Sequence, residues 1–108
     1  GDEETLAAFD GPARAIRCAA AINQAAAAQG VSLRIGLHTG ECDVLDDKYS
    51  GFAVDLARQI AGLSESGNIL VSRTVKDLVA GSGLEFSEFG VRSFDGVDGE
   101  WRLFTVDS

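Results

Sequence analysis

Residues 31–38 read Val-Ser-Leu-Arg-Ile-Gly-Leu-His, so Val31, Leu33, Ile35 and Leu37 alternate with Ser32, Arg34, Gly36 and His38. Successive side chains of an extended chain point to opposite faces, so this period predicts a strand with one apolar face. Such a strand has to be paired and covered, and the flanking segments supply the means. Thr39-Gly40 breaks the pattern, and Glu41 to Leu45 returns as a second strand before the acidic turn Asp46-Asp47. Upstream, Leu6 to Phe9 reads as a short strand ending at Asp10-Gly11-Pro12, where a capping residue precedes a proline suited to the first helical turn. The helix that follows runs to about Gln29 and stops at Gly30, a left-handed terminator. Its expected buried stripe is Ala15, Ile16, Ala19, Ile22 and Ala26, small residues that permit close approach to a sheet.

Phe52, Leu56, Ile60 and Leu63 recur at helical spacing, which predicts an amphipathic helix over 51–63. Residues 68–71 form a short buried strand, and Ser72 caps a helix carrying Val75, Leu78 and Val79 that ends near Gly81. Residues 84–93 and 99–106 are two strands joined by Asp95 to Gly99. The order β-α-β-β-α-β-α-β-β indicates an α/β (α+β) fold with a mixed sheet.

Composition narrows the class. A chain of 108 residues is one domain at most, and 45% hydrophobic with 24% charged residues is ordinary for a globular protein. No apolar run approaches the ~20 residues of a transmembrane helix, and the acidic N-terminus lacks the pattern of a signal peptide. The net charge of −8 argues against nucleic acid and against anionic membranes, both of which are bound through an excess of Lys and Arg. Cys18 and Cys42 have no CxxC or Cys/His spacing and read as reduced thiols of a cytoplasmic protein. Nothing fits a phosphate-binding glycine loop, a Ser/His/Asp triad or a zinc site.

Four stretches carry a resemblance: 9–23 (FDGPARAIRCAAAIN), 33–44 (LRIGLHTGECDV), 50–72 (SGFAVDLARQIAGLSESGNILVS) and 96–106 (GVDGEWRLFTV). Together they resemble the class III adenylate/guanylate cyclase domain of the soluble bacterial, actinobacterial type, over its C-terminal two-thirds. The resemblance implies a ferredoxin-like mixed sheet with helices on one face and a C-terminal hairpin. Here the first strand and first two helices would be lacking, leaving 1–108 as a single partial domain. It also implies a dimer holding ATP or GTP between subunits. Two Asp residues would bind Mg²⁺ or Mn²⁺, and a helical Asn and Arg would orient the ribose and neutralise phosphate charge. The product would be a 3′,5′-cyclic nucleotide and pyrophosphate.

Carried over position by position, much of that chemistry is altered. The family's first metal Asp has no counterpart. The second lies in a Gly-Asp-Gly hairpin. Gly1-Asp2 matches its start, but Glu3-Glu4 follows, and counting back from Phe9 puts Glu3 in the metal register. Neither Asp2 nor Glu3 alone meets the several fixed oxygens that Mg²⁺ demands. Aligned on Gly51-x-Ala53-Val54, Asp55 stands at the ribose-orienting Asn position, and Gln59 at the position of the transition-state Arg. An amide in place of a guanidinium loses a full charge and its forked donors. Arg58 is adjacent, but one residue is ~100° of helix rotation, so it is expected to pair with Asp55 at i, i+3. Lys48, or its neighbour Asp47, occupies the purine-reading position. His38 is expected to be a structural hydrogen-bonder, Trp101 and Phe104 core residues, and Gly36 a point of close backbone approach.

The residues allow three readings. One is a degenerate cyclase domain in intracellular signalling, inactive alone and holding no metal by itself, which acts by binding nucleotide or by dimerising. The second is a fragment of a divergent adenylate cyclase that makes cyclic AMP from ATP. The third is a structural dimerisation module. In each, the missing first strand leaves the edge of 32–38 open, so the expected assembly is a homodimer or higher, completed by strand exchange.

Overall fold

A computed structural model describes residues 11–38, 43–45, 48–50, 52–64 and 67–107. The expected strand 6–9 therefore lies outside the described residues. The first helix, α1 (Pro12–Ala28), starts from an extended Gly11 with Pro at its first turn. It ends as the sequence predicts. Gly30 turns left-handed (φ 77), its N–H donates to the Ala27 carbonyl at 3.0 Å, and the Val31 N–H donates to Ala26 at 2.8 Å. Ile16 and Ala19 are buried, with Ala13 and Ala20 packed beside them, whereas Ile22 is 49% exposed. Ile22 leaves the expected stripe because six residues of helix carry it well round from Ile16.

The alternating segment forms strand β1 over Ile35–Leu37 only, shorter than the expected 31–38. Its parallel partner β4 (Ile69–Ser72) offers a register of three pairs, Ile35↔Ile69 to Leu37↔Val71. Strand β2 (Asp43–Leu45) does not join this sheet. It makes a separate antiparallel pair with β3 (Lys48–Ser50), a strand absent from the sequence-based order. Helix α2 (Phe52–Leu63) follows, and α3 (Arg73–Leu78) leaves β4 directly. Strands β5 (Phe86–Phe94) and β6 (Val97–Val106) close the fold as an antiparallel hairpin. Its turn is Asp95-Gly96 alone, since Phe94 already pairs with Val97. Asp-Gly with a positive φ of 74° at the glycine suits a two-residue hairpin. The longer expected turn of 95–99 is thus corrected.

The four-stranded sheet runs β1-β4-β6-β5, with β1 and β4 parallel and the remaining pairs antiparallel. This is the expected mixed α+β architecture. One detail differs: the helices do not all cover one face. Ile69, Val71 and Phe104 pack with Ile16 and Ala19 of α1 and with Val75 and Val79 of the α3 segment. Leu70 and Leu103 pack with Leu56 and Ile60 of α2 and with Phe94. Alternate strand residues face opposite ways, so α2 lies across the sheet from α1 and α3. The sequence explains this, because all four residues of β4 are buried and a strand buried on both faces needs cover on both. Gly36 is where α2 comes closest. A Cβ there would sit 2.7 Å from Ala61 Cα and 2.9 Å from the Ala57 carbonyl, and against Ala61 N as well. No helix among the described residues is long and apolar enough to cross a membrane.

Candidate functional site

Helix α2 brings together the positions with the strongest sequence signal. Its apolar side, Ala53, Val54, Leu56 and Ile60, is buried, which turns Asp55 and Arg58 outward. Arg58 Nη1 lies 3.8 Å from Asp55 Oδ1, the i, i+3 pair expected from spacing, with both side chains more than half exposed. Such a pair contributes little to stability, being solvated and screened.

Gln59 points to the β5–β6 hairpin. Its Nε2 donates to the Asp95 carbonyl at 3.1 Å, and its Oε1 accepts from the Asp95 N–H at 3.1 Å. The amide side chain thus completes a reciprocal pair with one peptide unit. Asp95 as the partner was not foreseen. The Asp-Gly turn was legible, but nothing in the sequence aims it at α2.

On the same side of the sheet His38, just past β1, stands 2.8 Å from Ser72 Oγ through its Nδ1. Ser72 is fully buried and also accepts from the Val75 N–H at 3.4 Å, capping α3. The Ser72 hydroxyl, with one proton and two lone pairs, bonds His38 and caps α3 at the same time, whichever ring nitrogen carries the proton. The Trp101 ring meets the imidazole edge-on at 5.5 Å between centroids. Burial holds the His38 pKa below its ordinary value. These contacts are those of the structural hydrogen-bonder expected from sequence. Phe104 is a core residue, and Trp101 packs partly buried against the α2 cluster.

The remaining candidates are not brought to this place. Asp2, Glu3 and Asp47, with Glu41 and Cys42, lie outside the described residues. Lys48 belongs to β3 by its backbone. Among the described residues no three His, Cys, Asp or Glu side chains converge as a metal ion requires.

No family profile matches the chain. It is 35% identical over 77 residues to an uncharacterised protein of Mycobacterium tuberculosis, covering 70% of this chain and 30% of that protein. It is 27% identical over 109 residues to putative adenylate cyclase 3 of Rhizobium meliloti, covering 93% of this chain and 19% of that one. The chain thus spans less than a third of the length of these curated relatives. Among solved structures it superimposes on an adenylate/guanylate cyclase/hydrolase from Silicibacter pomeroyi with a TM-score of 0.81 at 26% identity, over 93% of this chain and 66% of that one. The guanylate cyclase domain from Catenaria anguillulae, solved with GTP, gives 0.77 at 22% identity, over 96% and 63%. The fold is that of a class III adenylate/guanylate cyclase domain, the family that the sequence motifs resemble.

Proposed function

We propose that this chain is a degenerate class III nucleotide cyclase-type domain of intracellular signalling that does not turn over nucleotide by itself. The observation that carries the reading is the bonding of Gln59. At the position where the family places a guanidinium for the transition-state phosphate, this chain has a neutral amide whose donor and acceptor both serve Asp95. Loss of one preorganised charge stabiliser costs about 10²–10³ in rate. Asp55 at the ribose position adds a carboxylate where a triphosphate would sit, and Arg58 is drawn towards it. By itself the chain holds no Mg²⁺ or Mn²⁺ in this reading. It acts by binding ATP or GTP, or by dimerising, and a second copy completes the sheet along the outer edge of β1. That edge has no strand partner among the described residues.

The test is one concentration series. Purified chain is incubated with ATP or GTP and Mg²⁺ or Mn²⁺, assayed for cyclic nucleotide, and sized by light scattering on the same samples. The expected result is no product above the buffer blank and a mass above that of a monomer. Metal-dependent cyclic nucleotide, or a stable monomer that unfolds cooperatively, overturns the corresponding half. A second reading, a fragment of a divergent adenylate cyclase, draws on the 27% identity to the Rhizobium protein over nearly the whole chain. Metal-dependent product in that assay would favour it.

A further inference from the structure

The Asp95-Gly96 turn rests on α2 through two kinds of contact. Phe94 and Val97, the strand residues flanking the turn, pack with Leu56 and Ile60. At the rim above them, the Gln59 amide makes its two 3.1 Å bonds to Asp95. Leu56, Gln59 and Ile60 are spaced i, i+3 and i+4, so one helix face carries both the apolar seat and the polar clasp. The clasp needs a donor and an acceptor side by side, which a glutamine amide supplies. A guanidinium has donors only, and a carboxylate acceptors only. Both bonds lie at an exposed position, where water competes for them, whereas the β4 residues below are almost wholly buried.

We propose that the Asp95-Gly96 turn is a latch on α2, held closed by Gln59 as a positioning residue, and that it opens without unfolding the sheet. The inference goes beyond the proposed function and does not depend on it, since the latch is defined by bonds within the chain.

Amide hydrogen exchange by NMR on the whole chain tests it, using wild type, Gln59→Ala and Gln59→Arg. Both variants remove the acceptor of the Asp95 N–H. The Asp95 amide is expected to exchange about tenfold faster in each, the scale of one lost hydrogen bond, with the Leu70 and Val71 amides changed less than twofold. An unchanged Asp95 rate in Gln59→Ala overturns the clasp. Equal acceleration at Leu70 and Val71 overturns the independent opening. Wild type alone gives a second measurement should the variants not fold. Exchange at Asp95 is expected to be insensitive to low urea while the β4 amides rise steeply, and parallel slopes would refute the latch. Presence or absence of cyclic nucleotide alters none of these outcomes.

Discussion

At Gly36 the missing side chain is a packing requirement. A Cβ would meet the main chain of Ala61 and the carbonyl of Ala57, and main-chain atoms of a helix cannot swing aside as a flexible side chain would. Gly36→Ala should therefore force β1 and α2 apart at a cost of about 2–3 kcal/mol, read as a lower urea midpoint with an unchanged slope. Half of this was legible in the sequence. A glycine in an otherwise regular alternating run signals close approach, but that it meets α2, at Ala57 and Ala61, depends on tertiary packing. Gln59 divides the same way. The departure from the family's arginine could be read directly, whereas its partner, Asp95, lies 36 residues away along the chain. The candidates Asp2, Glu3 and Asp47 lie outside the described residues.

At the scale of elements, Ser72 joins three of them. It ends β4, caps α3 and bonds His38 just past β1. The cap was legible from Ser72 ahead of Val75. The His38 contact required the parallel register of β1 on β4, which no local pattern specifies. Protonating His38 places a charge in a half-buried site. Because burial lowers its folded pKa below 6.5, the unfolded chain holds more protons between that folded value and 6.5. The His38 contribution to stability is therefore complete above pH 6.5 and is lost as pH falls through that window. In urea melts against pH, wild type should lose stability relative to His38→Gln on acidification below about pH 6.5. Parallel curves would show that the imidazole is not protected. Strand β3 escaped the sequence reading because three residues after an acidic turn are too few for a period to show. The hairpin turn was read too long because glycines at both 96 and 99 look like turn residues, yet Gly99 (φ 85) is absorbed within β6.

For the whole molecule, the mixed sheet and the order of the described strands and helices, β3 excepted, followed from periodicity and caps. The division of helices between faces did not, since periodicity says that a strand is buried without saying what covers it. That division means the two apolar clusters share no residue: Val71 and Phe104 belong to one, and Leu70 and Leu103, their neighbours in sequence, to the other. Among the described residues the sheet thus acts as a thermodynamic partition between the two apolar clusters. Losses on opposite sides should then be independent although they lie a few ångströms apart in the chain. In a double-mutant cycle, Val75→Ala combined with Ile60→Val is expected to sum to within about 0.5 kcal/mol, while Ile60→Val with Leu103→Ala, both in the α2 cluster, departs from additivity by more than that. Strong coupling across the sheet would mean that strain in one layer is relayed to the other. Additivity would mean that one layer can accumulate substitutions without altering how the other is packed.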